Sequence, residues 1–177
     1  MALFAIGDTH LSLGSSKPMD VFGGRWEGYV DKLRAGFAET VGPEDTVVLC
    51  GDLSWGMSLE EAEADFAFLN ALPGARKLLL KGNHDYWWTT AAKMERFFAE
   101  KGFSTLRILH NNCHPYGDWA LCGTRGWFYE ETGDQKVFRR EVLRLEASLK
   151  AAGERPSCAF STTRPCTRAM PARSSSR

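Results

Sequence analysis

Short apolar runs alternate with amphipathic stretches along most of this chain. Ala2 to Gly7, Thr46 to Cys50 and Arg76 to Lys81 are brief and almost uniformly apolar at their centres. Runs of that length suit buried strands, expected at about residues 2–7, 46–50 and 76–81. Between them the period lengthens to that of a helix. Trp26, Val30, Leu33, Phe37 and Val41 fall on one face of a helix expected over about 26–41. Ser58 with Glu61 three residues later is a capping-box signature, followed by the stripe Leu59, Ala62, Phe66 and Leu69 and ended by Pro73-Gly74. A third helix is expected over about 89–101, stopping at Gly102, and a last one over about 134–151 with Phe138, Val142, Leu145 and Leu149 facing inward. Two further strands are expected near 105–110 and 118–122, separated by a turn from Asn111 to Gly117. Strands alternating with helices in this way predict an α/β fold with a partly parallel sheet under helices.

The first three strands each run into polar chemistry. Asp8-Thr9-His10 follows the first, Gly51-Asp52 the second and Gly82-Asn83-His84-Asp85 the third. Parallel strands leave the sheet at one rim, so Asp8, His10, Asp52, Asn83 and His84 are expected to gather there. Asp8 and His10, two apart, share one side of an extended segment. Taken singly, each piece has a plainer reading: a loop hydrogen bond for Asp-x-His, an ordinary turn for Gly-Asp and for Asn83. Together they place oxygen and imidazole donors where a phosphoester hydrolase with two metal ions needs them. Trp55, Trp87, Trp88 and Trp127 are expected on the same rim, as pocket walls or as packing between loops. Arg25 and Arg125 are candidate phosphate contacts, since guanidinium suits phosphate oxygens. His110 and His114 match no motif and read as parts of a surface turn, and Glu130-Glu131 as a solvated loop.

Asp8-x-His10, Gly51-Asp52 and Gly82-Asn83-His84-Asp85 resemble the corresponding segments of the calcineurin-like metallophosphoesterases. The longer wording Gly82 to Trp88 is similar to a bacterial branch of phosphohydrolases, and the likeness runs from Met1 to about Arg155. The resemblance implies a four-layer α/β/β/α sandwich, here incomplete at the C-terminus. It implies two divalent ions of the Mn²⁺, Fe²⁺ or Zn²⁺ type, with Asp8, His10, Asp52 and Asn83 as ligands and Asp52 bridging. It implies in-line attack on phosphorus by a metal-bound hydroxide, with His84 beside the scissile group. Asp85 is expected to orient the His84 ring and keep it charged. The family completes both ions with later histidines, and no histidine follows His114 in this chain. Metal occupancy is therefore expected to be partial. The rival to an active hydrolase of a small phosphoester is an inactive truncated product or a weak metal-binding remnant.

Composition narrows the partners. The 22 basic and 22 acidic residues cancel, which gives no electrostatic case for nucleic acid or an anionic membrane. No apolar run is long enough to span a bilayer and no signal-peptide pattern precedes the first strand, so a cytoplasmic location is expected. Five cysteines without a C-x-x-C fit reduced thiols. There is no Gly-x-x-x-x-Gly-Lys and no Gly-x-Gly-x-x-Gly loop, which argues against a nucleotide-binding module.

The last 22 residues differ in kind. Pro156 to Arg177 holds four Arg and five Ser but no Asp, Glu, Leu, Ile or Val. Such a stretch is expected to add little core, so the catalytic portion is placed at 1–155 and an aberrant, disordered tail at 156–177. Within codon degeneracy, another frame of the same stretch reads as an apolar strand ending in His and then Pro-Pro. A one-nucleotide frameshift near Arg155 is the expectation.

Overall fold

The structure is a computed structural model and describes residues 1–17, 19–24, 26–127 and 135–162. Arg25, Glu130-Glu131 and everything after Thr162 lie outside the described residues. Four strands form a parallel sheet in chain order: β1 (Leu3–Ile6), β2 (Thr46–Leu49), β3 (Arg76–Leu79) and β4 (Leu106–Ile108). The connecting helices are α1 (Tyr29–Thr40), α2 (Glu63–Ala71) and α3 (Ala91–Glu100). Right-handed crossovers between consecutive strands put all three on one face. A smaller sheet holds β5 (Asn112–Tyr116) and β6 (Trp119–Gly123) as an antiparallel pair, then β7 (Ser157–Phe160) parallel to β6 after the crossover helix α4 (Gln135–Ala151).

Alternation along the strands separates the layers. Val47, Leu49 and Leu79 face the helices, where they pack with Phe37, Phe66, Leu69, Met94 and Phe98. Val48, Leu78 and Leu80 face the other way and meet Leu121, Cys158 and Phe160 of the second sheet. The outer face of that sheet packs Ala120, Cys122 and Cys113 under Ala152, just beyond the end of α4. Helices, sheet, sheet and helix make the four-layer sandwich.

Several expectations change. Half of the capping box at Ser58 forms: Glu61 N–H donates to Ser58 Oγ at 3.2 Å, but the Glu61 carboxylate accepts from Met57 N–H at 2.9 Å, and regular α2 starts only at Glu63. Trp26 precedes α1 instead of lying on it. The stretch expected as a turn at 111–117 is strand β5, and the turn itself is just Gly117-Asp118, with Gly117 at φ 56°. Pro115 and His114 hid this strand; a proline is tolerated there because β5 is an edge. Order does not stop at residue 155 either, since Cys158 and Phe160 of β7 turn half-buried side chains into the space between the sheets. The inward face of α4 is also different. Glu141 and Ser148 are buried, while Phe138, Val142 and Leu149 are 47%, 37% and 39% exposed. Ser148 Oγ explains the rotation: it accepts from Gly123 N–H at 2.8 Å and donates to Asn112 O, which a leucine could not do.

Far from the polar rim, Lys77 is fully buried on the helix-facing side of β3, with Nζ donating to Gly74 O and Thr105 Oγ1 at 3.3 and 3.2 Å. Burial pulls its ammonium down from 10.5 to about 8. The unfolded chain therefore holds an extra proton between those values, and stability rises as pH climbs from about 8 to 10.5. Lys77→Met removes the buried charge and keeps the volume. It is expected to raise the unfolding free energy at pH 7 by about 1–2 kcal/mol and to flatten the rise above pH 8. Thermal melts at pH 7 and pH 10 check this; a variant no more stable than the parent at pH 7 would count against it.

Candidate metal centre

Where β1 and β2 end, their backbones stay zipped together. Asp8 N–H donates to Gly51 O at 3.0 Å, His10 N–H to Asp52 O at 2.9 Å and Leu11 N–H to Leu53 O at 2.9 Å. To keep this pairing while aiming side chains outward, Asp8, His10 and Asp52 adopt φ of 55°, 42° and 53°. The left-handed region costs energy for residues with a Cβ and persists where surrounding structure enforces it. Asn111 is the one other non-glycine residue with positive φ among the described residues. Backbone strain is thus concentrated at three of the four expected ligands.

Their donor atoms converge. One oxygen each from Asp8 and Asp52 and one nitrogen from His10 lie within 4.8 Å of one another. Asp8 is exposed while Asp52 is buried, so the group opens to solvent on one side. His10 Nε2 stands 3.7 Å from Asp8 Oδ1, and its Nδ1 is buried with no hydrogen-bond partner. Burial holds the His10 imidazole below its usual pKa, against the upward pull of Asp52 and Asp8, so it is neutral near pH 7. A neutral ring with an orphaned nitrogen between two carboxylates fits a divalent cation. Asn83 sits exposed on the adjoining loop, whose next residue, His84, donates its backbone N–H to Asp52 Oδ1 at 2.8 Å.

His84 comes to this place too. Its ring lies 5.8 Å from that of His10 and 4.9 Å from that of Trp55, and its Nδ1 is buried without a partner. Trp55 stacks on His10 with ring centroids 5.0 Å apart, and Trp26 meets the same imidazole edge-on at 6.2 Å. Trp55 and Trp26 therefore wall the site. Trp87 is instead a core residue against Phe66, and Trp88 packs on His110. A groove of about 720 Å³ runs from Asp8 between β1 and α1, past Trp26, Tyr29 and Phe37.

Asp85 does not do what the sequence suggested. Its Oδ2 accepts the backbone N–H groups of Asp52 and Gly82 at 2.9 and 2.7 Å. Its Oδ1 accepts Leu53 N–H at 2.8 Å and Trp87 Nε1 at 3.0 Å. Both oxygens are thus committed away from His84. Burial pushes this carboxyl up to about 6, while the Gly82 and Leu53 donors pull it down. Asp85 is a lock that clamps the Asp52 loop to the Gly82 loop. Glycine makes the close approach possible: a Cβ on Gly82 would lie 2.0 Å from Asp52 Oδ1 and 2.1 Å from Asp52 N.

Neither remaining histidine joins the group. His114 Nε2 is held by Ile108 O at 2.8 Å on β5. His110 stands near the same rim but next to Lys81, Arg125 and Arg144, whose charges add to burial in lowering its pKa. Arg125, a candidate phosphate contact, is bound to Glu141, a residue that sequence reasoning did not single out.

The family model for calcineurin-like phosphoesterases matches residues 1–149. The chain belongs to that family. Members hydrolyse phosphoesters with divalent metals, and the family's fold is the sandwich described above. No curated protein matches the sequence. Among solved structures, the chain is similar to protein AQ665 of Aquifex aeolicus, described as of unknown function, at 20% identity over 84% of this chain and 75% of that one, with a TM-score of 0.47. No helix among the described residues is long and apolar enough to cross a membrane.

Proposed function

We propose that this calcineurin-like phosphoesterase hydrolyses a small phosphoester in the cytoplasm, with Asp8, His10 and Asp52 holding a divalent ion. The carrying observation is the convergence of those donors within 4.8 Å from two strand ends, each on strained backbone. Asn83, one residue before the N–H that grips Asp52, would offer a neutral oxygen toward a second ion shared by Asp52. Mn²⁺, Fe²⁺ or Zn²⁺ there would act as Lewis acids on the phosphoryl oxygens and acidify bound water. His84 is suited to stabilise phosphoryl oxygens and to hand a proton to the leaving oxygen. Asp85 serves by fixing the two loops. Trp26 and Trp55 shield one side of the site from water.

A second reading is metal binding without turnover. It is favoured by the nitrogen supply: among the described residues the ligand group takes its nitrogen from His10 alone. Hydrolysis of a bis-aryl phosphate diester and an aryl phosphate monoester with added Mn²⁺ separates the two. Turnover is expected, falling by at least about a hundredfold in Asp52→Asn. Mn²⁺ binding without turnover in the parent chain would establish the second reading instead.

A further inference from the structure

We propose that Lys81, Arg125 and Arg144 form an anion subsite beside the metal centre that takes a second phosphate group of the substrate. This depends on the function above only for the identity of the substrate; the subsite itself can be read without metal. Lys81 leaves β3 immediately before the Gly82 loop, and Arg125 follows β6 on the neighbouring rim. The two share one indole: Lys81 Nζ is 5.5 Å and Arg125 Cζ 4.3 Å from the ring centroid of Trp127. Trp127 Nε1 donates to Thr162 Oγ1 at 3.1 Å, and Thr162 Oγ1 donates to Arg125 O at 2.7 Å. The methyl group of Thr162 lies 2.7 Å from where a Cβ of Gly51 would stand, so the cationic group adjoins the loop that carries Asp52.

The charges do not cancel. Glu141 is 4% exposed, and its Oε1 accepts Arg125 Nε and Nη2 at 3.1 and 2.9 Å as well as Arg144 Nη1. Arg140 Nε adds a third guanidinium at 3.7 Å from Glu141 Oε1, and the Asp85 carboxylate attracts Lys81, so two carboxylates face four cations; Lys81 Nζ has no hydrogen-bond partner among the described residues. Nearby His110 adds a buried Nδ1 that also lacks one. A tie between α4 and the sheet needs one arginine; the further guanidinium and the ammonium, half-buried together, repel each other unless an anion joins them. Guanidinium and ammonium donors on one indole suit the oxygens of a phosphate. The position, beside the metal centre and apart from its ligands, selects a phosphate other than the one being hydrolysed.

Calorimetric titration of inorganic phosphate into EDTA-treated protein tests this directly. Saturable binding is expected, weakened about tenfold or more in Lys81→Met and changed less than about twofold in Asp52→Asn. Lys81 has no hydrogen bond to lose among the described residues, so its variant is expected to fold normally, and circular dichroism checks that it does. Where the enzyme turns over, the preference in kcat/KM for an aryl bisphosphate over an aryl monophosphate is expected to fall about tenfold in Lys81→Met. Binding equal to the parent in Lys81→Met would overturn the subsite. So would binding abolished by Asp52→Asn, since the phosphate would then sit on the metal ligands. If no ester is hydrolysed at all, the titration still decides, because it uses neither metal nor turnover.

Discussion

Asp85→Ala is expected to lower the unfolding free energy by about 3–5 kcal/mol, the largest stability effect of any substitution at the rim. The side chain is 1% exposed and gathers donors from both sides of a loop junction. Truncation leaves the N–H groups of Asp52, Leu53 and Gly82 and the Trp87 indole N–H buried without an acceptor. Each such group costs about 1–3 kcal/mol, and their shared site keeps the sum below simple addition. Asp85→Asn is no harmless control, because whichever way the amide turns, its NH₂ meets N–H donors; about 2–3 kcal/mol is expected. For a chain of this size the alanine variant translates into a loss of roughly 10 °C in Tm. Thermal and urea unfolding read it out. A role confined to orienting His84 would leave stability unchanged and move only the pH profile of activity.

Gly82→Ala is expected to damage the proposed metal site without altering any of its proposed ligands. The added methyl would stand 2.0 Å from Asp52 Oδ1 and 2.1 Å from Asp52 N, distances no side chain tolerates. One of these atoms is backbone, so relief requires the two loops to part. The opposite side is closed as well, since Gly51 approaches Gly82 N so nearly that its own Cβ would lie at 2.6 Å. Parting the loops breaks the Asp85 bridge and swings Asp52 away from Asp8 and His10. A loss of about 2–4 kcal/mol in stability and of about 10–100-fold in Mn²⁺ affinity is expected. Wild-type affinity in a folded Gly82→Ala protein would show that Asp52 does not set the site.

The parallel half of the fold was legible because its central strands, β2 and β3, are buried on both faces and read as short apolar runs, as Val47-Val48-Leu49 does against helices on one side and a sheet on the other. The second sheet was less so. β5 carries Pro115 and His114, and β7 has Cys158 and Phe160 in place of branched aliphatics, so neither pattern exceeds the noise of a loop. The rotation of α4 depends on Ser148 and Glu141 satisfying partners on other elements, information that no helical period contains. At the site, Asp8, His10 and Asp52 could be placed from strand ends alone, since a parallel sheet brings those ends together. Asp85 was misassigned because adjacency to His84 in sequence says nothing of direction, and its carboxylate points across to another loop. Trp55 was placed on the rim, but its stacking on His10 and its tilted contact with His84 come from tertiary packing.

The central claim is that Asp8, His10 and Asp52 form a divalent-metal site in a calcineurin-like phosphoesterase. Calorimetric titration of Mn²⁺ into metal-stripped protein, beside Gly82→Ala and Asp52→Asn, tests it most directly. Saturable binding by the parent chain, lost or strongly weakened in both folded variants, is the expected result. No saturable binding by the parent, or equal binding in Asp52→Asn, would contradict the account.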